Sequence, residues 1–276
     1  PGVADTYEGK NILITGAGGS IGSELCRQLL SCKPASLTLL DHSELALFEI
    51  DRELRSITEH AQIHAVLGSV TDQPLVEHTM SIHKTDIVLH AAAYKHVPLV
   101  QHNAIEGIKN SVLGTKCVAD AARAVGVERF ILVSTDKAVR PSSVMGASKR
   151  FAELLIQDLA TRSTSTRFSM VRFGNVLGSS GSVIPLFHEQ ISRGGPVTLT
   201  HSDVTRYFMT IPEAVRLVLL AGSFARGGYV FVLDMGPPVP VKQLARKMLE
   251  RTGHSFRDKD TPLGDIEIEI TCLRPG

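Results

Sequence analysis

A threonine, an acid and an amine follow one another at Thr135-Asp136-Lys137, directly after the apolar run RFILVS. A carboxyl group and an amine held side by side can divide two proton transfers between them, provided that burial or neighbouring charge shifts them suitably. A second amine, Lys149, closes the stretch MGASK, with Met145 four residues before it. Upstream, Gly16-Ala17-Gly18-Gly19-Ser20-Ile21-Gly22 stands between the apolar run NILIT and the helical pattern SELCRQLL. Glycines let a turn tighten and bring backbone amides onto a pyrophosphate, and the helix that follows adds its positive end. Asp41 closes the second apolar run 19 residues past Gly22, where a ribose-binding carboxylate is expected. Such a carboxylate accepts from adenosine ribose hydroxyls and repels a 2′-phosphate, which favours NAD over NADP. The adjoining His42 weakens that preference.

Groups of this kind need strands that end at them. Short apolar runs lie at 11–15, 36–40, 62–67, 86–90, 129–133 and 168–173, with helical patterns between them. In one helix Leu25, Leu29 and Leu30 share a face, and Leu45, Phe48, Ile50 and Leu54 are expected to do the same in the next. Six alternations of strand and helix predict an α/β fold, a doubly wound parallel sheet of the Rossmann type covered on both faces. In such a sheet the strand ends face the ligand crevice. Gly68-Ser69-Val70 is then either an ordinary strand exit or a loop passing the adenine. From about residue 174 the pattern turns to Gly, Ser and Pro-rich stretches with short helices near 212–221 and 240–252. The expected division is a dinucleotide-binding domain over 1–173 and a smaller, irregular, mainly substrate-binding lobe over 174–276, interleaved with the sheet.

Charge excludes some partners. With 29 Lys and Arg against 28 Asp and Glu, the net charge of +1 supplies no global field for a phosphate backbone, so no nucleic-acid partner is expected. Cys26, Cys32, Cys117 and Cys272 form no CxxC pair, and the histidines show no zinc spacing, so reduced, mostly core cysteines and no metal are expected. No apolar run reaches the roughly 18 residues needed to cross a bilayer, and the first residues lack a signal-peptide pattern. A cytoplasmic protein is expected, and the abrupt end at LRPG suggests a piece of a larger one.

Several of these residues together carry a resemblance. The glycines at 16–22, HAAAYKHVP at 90–98, Asn110 with Gly114-Thr115, STDKAVRPSSVMGASK at 134–149 and RFGNVLGSSGSVIP at 172–185 resemble the extended short-chain dehydrogenase/reductase superfamily. More narrowly, they are similar to the CapD-like polysaccharide-biosynthesis proteins, which are nucleotide-sugar 4,6-dehydratases. STDKAVRP is the most specific piece. Met145 stands where the superfamily usually has the Tyr of YxxxK, as it does in the large membrane-anchored members of this branch. In those relatives membrane helices precede a domain like this one, which implies a membrane-anchored parent touching the bilayer only through segments outside this sequence.

The resemblance implies UDP-N-acetylglucosamine as substrate and tightly bound NAD. The implied reaction oxidises carbon 4, eliminates water across carbons 5 and 6 and returns the hydride to carbon 6, with retention at carbon 5 as in the Met-type relatives. It implies Lys137 as base at carbon 5, Asp136 as acid for the 6-hydroxyl and Thr135 as a hydrogen-bond partner of the 4-hydroxyl. The amine must then be neutral and the carboxyl protonated. Met145 cannot exchange a proton, so the 4-hydroxyl proton falls to Asp136, Lys149 or water. Lys149 is expected to hold the nicotinamide ribose, and Ser69, Val70, Ala91, Ala92 and Ala93 join the glycines, Asp41 and His42 in holding the cofactor. Tyr94 and Lys95 are expected to line the crevice, and His96 either joins them or is a buried structural histidine. Asn110 braces the active-site loop. Asn175, Ser182, Val183 and Arg206 are expected on the substrate, Arg206 at the diphosphate, where a guanidinium fork suits phosphate. Superfamily members often pair through helices corresponding to 103–125 and 143–163, which implies a homodimer. The rival readings are a UDP-sugar epimerase, which needs no acid and base for elimination, and a non-catalytic NAD-binding sensor or scaffold.

Overall fold

A computed structural model describes residues 2–179, 181–258 and 261–271. The chain forms two compact units: the first takes the chain up to Phe173 with Pro212–Leu233, and the second takes Gly174–Ile211 with the chain from Asp234 onward. In the first unit, α1 (Val3–Tyr7) precedes β1 (Asn11–Thr15), α2 (Ser20–Leu30), β2 (Ser36–Asp41), α3 (Glu44–Ile57), β3 (Gln62–Leu67), α4 (Gln73–Ile82) and β4 (Ile87–His90). The next crossover is α5 (Val97–His102), α6 (Ala104–Ile108), a π-helical turn at Lys109–Leu113 and α7 (Gly114–Val125). It leads to β5 (Arg129–Thr135), a 3-10 turn at Asp136–Ala138, α8 (Val144–Arg162) and β6 (Arg167–Phe173).

All seven strands of the main sheet run parallel. β1, β2 and β4 are buried almost throughout, as sheet strands covered by helices on both faces must be, whereas the edge strand β3 alternates. Leu13, Leu40, Val88, Phe130, Phe168 and Met170 share one core cluster. In α3 the buried stripe is Leu47, Ile50 and Leu54, while Leu45 and Phe48, expected on that face, are exposed. Two positions spaced i, i+3 satisfied the helical period but lie one residue to the side of the stripe that β2 and β3 cover.

The second unit opens with β7 (Asn175–Leu177), α9 (Val183–Ser192), β8 (Val197–Leu199), β9 (Thr205–Arg206) and β10 (Phe208–Thr210). The chain then returns to the first unit through α10 (Ile211–Phe224) and β11 (Val230–Val232), so that the main sheet has the order β11-β6-β5-β4-β1-β2-β3. This is a doubly wound α/β fold. The second unit resumes with β12 (Val239–Pro240), α11 (Val241–Arg251), β13 (Phe256–Arg257) and β14 (Ile266–Ile270), around a core of Phe187, Val197, Leu249 and Ile266. Among the described residues no helix is long and apolar enough to cross a membrane. Cys26 and Cys32 are free and buried, Cys117 is free and half-buried, and Cys272 lies outside the described residues.

Candidate active site

Strand order reverses between β1 and β4, which are paired neighbours leading to opposite edges of the sheet. Parallel pairing aligns the carboxyl ends: Thr15 stands beside Leu40 and His90, His90 beside Leu132, and Asp41 beside Leu67. A crevice for a ligand opens at such a switch point. β2 and β5 run past their apolar segments, which stop at 40 and 133, to end at Asp41 and Thr135.

The glycine run leaves β1 as a tight turn. Gly16 takes φ +66°, and a Cβ there would lie 2.7 Å from backbone atoms of Ala92, so the turn presses directly against the loop after β4. The Gly16 amide donates to the Leu40 carbonyl at 2.8 Å and the Gly19 amide to the Gly16 carbonyl at 3.0 Å. Gly19 caps α2 without a side-chain hydrogen bond. Asp41 is 7% exposed and accepts from the Gly18 amide on one oxygen and from the Ser43 amide on the other, each at 2.9 Å. It therefore locks the glycine turn to the start of α3 while each oxygen keeps a second lone pair. His42 is exposed, 3.5 Å from Asp41, and meets Tyr94 edge-on at 6.1 Å between ring centres. Ser69 pairs with Thr71 at 2.7 Å, and Val70 is buried in the core. Ala91 and Ala92 are tied to β1, their amides donating to the Thr15 carbonyl and hydroxyl. Lys95 and His96 are exposed, so His96 is no buried structural histidine.

At the end of β5, Thr135 donates to Asp136 Oδ1 at 3.0 Å and accepts from the Lys137 amide at 3.3 Å. The Lys137 ammonium donates to the same Asp136 oxygen at 3.2 Å. Both side chains are partly exposed, at 42% for Asp136 and 35% for Lys137. Ser143 caps α8 by accepting from the Gly146 amide. Met145 is buried in the first turn, and Lys149, 5% exposed, donates from Nζ to the Val133 carbonyl at 3.2 Å. Burial lowers the Lys149 pKa to about 8, against the opposing pull of the Glu153 carboxylate.

Two groups escaped the sequence reading, His90 and the Glu153–Arg172 pair. His90 is fully buried between two threonines, 2.7 Å from Thr15 Oγ1 and 3.1 Å from Thr115 Oγ1. Thr115 spends its one proton on the Ser111 carbonyl, so it accepts from His90 Nε2, and Nδ1 accepts from Thr15. Burial, helped by the Lys149 charge, holds His90 neutral with a pKa near 3. Ser111 and Asn110 lie in the π-helical turn, where Asn110 is buried and its Oδ1 has no partner. Glu153 and Arg172 form a buried ion pair beneath β5. The i+4 spacing of Glu153 from Lys149 was the available signal.

Asn175, Ser182, Val183 and Arg206 lie in the second unit. Asn175 starts β7, Val183 starts α9, and Ser182 precedes it with its Oγ buried and unpartnered. Arg206 is exposed in β9 and donates to the Thr205 carbonyl.

A family model described as polysaccharide biosynthesis protein matches residues 12–276. The probable polysaccharide biosynthesis protein EpsC of Bacillus subtilis (strain 168) is 48% identical over 275 residues, which make up 99% of this chain and 45% of EpsC. The UDP-N-acetylglucosamine 4,6-dehydratase (inverting) of Campylobacter jejuni subsp. jejuni serotype O:23/36 (strain 81-176) is 34% identical over 254 residues, 91% of this chain and 74% of that protein. Among solved structures, Pen from Bacillus thuringiensis matches with a TM-score of 0.89 and 33% identity, over 98% of this chain and 81% of that one. The chain thus spans less than half the length of EpsC.

Proposed function

The chain belongs to the polysaccharide biosynthesis protein family, and we propose that it carries out the NAD-dependent 4,6-dehydration of UDP-N-acetylglucosamine. The product is a UDP-4-keto-6-deoxy-N-acetylhexosamine for surface polysaccharide or glycoprotein sugars. One observation carries this reading: an acid and an amine 3.2 Å apart, on a turn that closes a sheet strand and faces the helix of Lys149. A 4-epimerase has no elimination for such a pair to serve. The name of the Campylobacter relative supports the substrate.

The residues of the first unit fit a dinucleotide. The glycine turn has no room for side chains against Ala92, the first turn of α2 has no side-chain cap, and Asp41 keeps free lone pairs at a fixed position. Gly16, Gly18, Gly19, Ser20, Ile21 and Gly22 would hold the diphosphate, Asp41 the adenosine ribose and Lys149 the nicotinamide ribose. Bound NAD supplies reversible oxidation at carbon 4 and reduction at carbon 6.

Lys137 takes the carbon 5 proton and Asp136 gives a proton to the leaving 6-hydroxyl. The ion pair and the neutral pair these roles require differ by one proton moved along a single 3.2 Å hydrogen bond. Excluding water from the filled site favours the neutral pair, because desolvation penalises both charges. Thr135 steers the 4-oxygen, and Lys149, with its pKa near 8, is the amine able to accept the 4-hydroxyl proton at neutral to mildly alkaline pH. Lys137, whose amine protons exchange with solvent, returns a proton to carbon 5 on the face from which it took one, and the configuration there is retained.

The reading includes a homodimer. Leu99, Ile105 and Phe151 are 63%, 76% and 54% exposed on α5, α6 and α8, which pack on one another. It also places the reaction in the cytoplasm, with membrane contact only through segments outside this sequence. Incubation with UDP-N-acetylglucosamine and NAD should give a sugar nucleotide lighter by one water, with no accumulation of reduced cofactor. An isomer of unchanged mass would point to an epimerase, and unchanged substrate bound alongside NAD to a sensor.

A further inference from the structure

We propose that Glu153 is a positioning residue, which ties the Thr135-Asp136-Lys137 turn to the helix carrying Lys149 by gripping Ser134 and Arg172 from inside the fold. The inference deepens the dehydratase reading and rests on it for the roles of those groups.

Glu153 is 0% exposed, and each of its oxygens accepts twice. Oε1 accepts from the Ser134 hydroxyl at 2.7 Å and from Arg172 Nε at 2.7 Å, while Oε2 accepts from Arg172 Nη2 at 2.5 Å and Arg150 Nη1 at 3.0 Å. Burial opposes its charge, and these donors outweigh burial and leave its pKa below the ordinary carboxylate value. A buried ion pair is weak evidence for stability, because apolar residues of similar volume often do as well. What this one supplies is geometry.

Gly146, Lys149 and Glu153 are spaced i, i+3, i+7 and so share one face of α8. Each meets the segment that ends in the acid–base turn. A Cβ at Gly146 would lie 2.4 Å from the Lys137 carbonyl, Lys149 donates to the Val133 carbonyl, and Glu153 accepts from Ser134. The helix is thus fixed to both sides of Thr135 and Asp136. Arg172 carries the same carboxylate to β6, whose Arg172 pairs with Ser134 across the sheet. Of the charged groups around Lys149, Glu153 supports its positive form, and His90 at the end of β4 is neutral. In the turn Asp136 and Lys137 offset one another, and Arg172 is neutralised by Glu153.

The test uses Glu153→Gln and Ser134→Ala. NMR of isotope-labelled lysine in the full chain without substrate, with Lys149→Met to assign the signal, reads the Lys149 titration whether or not the dehydratase reading holds. In Glu153→Gln the Lys149 midpoint should fall below that of the wild type. In Ser134→Ala, which leaves the ion pair in place, kcat should drop about tenfold or more while KM changes far less. If Glu153→Gln does not fold, the Ser134→Ala split decides alone. An unmoved Lys149 midpoint, or an unchanged kcat in a folded Ser134→Ala chain with only its Tm lowered, would reduce Glu153 to a structural brace. If the wild type shows no turnover, the dehydratase reading fails and the Lys149 titration still decides whether Glu153 acts on that amine.

Discussion

At the scale of single residues, the buried His90 gives the fold a dependence on pH. His90 has a folded pKa near 3 against about 6.5 in an unfolded chain. Above pH 6.5 it is neutral in both states and its contribution to stability is complete. As pH falls below 6.5 the unfolded chain takes up a proton that the folded chain refuses, so stability is lost progressively toward pH 3. Urea unfolding across this range should show a steeper loss in the wild type than in His90→Gln, by up to about 1.4 kcal/mol per pH unit. Parallel curves would mean that His90 is not the buried neutral group described. The proposed acid and base, Asp136 and Lys137, stand out in sequence as an adjacent acid and amine, whereas His90 and Glu153 owe their character to burial. Glu153 reads in sequence as an ordinary helical surface charge, and its partner Arg172 lies 19 residues further on.

At the scale of elements, α8 packs against the Asp136–Ala138 turn. Ser143 starts it, Gly146 lets its first turn meet the backbone at Lys137, and Val144 is held by Gln101 from α5. Gly146→Ala places a methyl 2.4 Å from a backbone oxygen that has no flexible end to move. It should cost about 1–3 kcal/mol despite the better helix propensity of alanine, and lower activity by displacing the turn. A higher Tm with full activity would show that the contact relaxes freely. The first six strands of the main sheet were legible as apolar runs, and β1, β2, β5 and β6 are closed by a glycine, an aspartate or a threonine, whereas β4 ends at His90 and runs into three alanines. The ends of β2 and β5 ran one or two residues longer than the apolar pattern, because Asp41 and Thr135 continue the ladder as polar residues. The π-helical turn at Lys109–Leu113 had no sequence signal, being one extra residue absorbed inside a helical pattern. Leu45 and Phe48 show the opposite failure, in which periodicity was present and its phase was misread.

For the whole molecule, the order of the sheet explains how the glycine turn, Asp41, the loop after β4 and the Thr135-Asp136-Lys137 turn come to one edge: parallel strands deliver their carboxyl ends to it. The second unit was less legible, since its strands are two to five residues long and the chain leaves it at residue 212 to complete the main sheet. The exposed apolar residues on α5, α6 and α8 give a prediction at this scale. Sedimentation should find a dimer, and Ile105→Asp with Phe151→Asp should give a monomer of unchanged secondary structure. A wild-type monomer at high concentration would refute the proposed pairing.

In the proposed reaction Asp136 and Lys137 carry out an elimination across carbons 5 and 6 of a UDP-sugar. Its most direct test is turnover of UDP-N-acetylglucosamine in deuterated water, followed by NMR, for the wild type, Asp136→Asn and Lys137→Ala. The expected outcome is a 6-deoxy-4-keto product with deuterium at carbon 5 and ring couplings that report retention. Either substitution should slow its formation by about 10²–10⁴-fold while the fold is kept. A product formed at the wild-type rate by both variants, or a keto sugar without solvent deuterium at carbon 5, would contradict it.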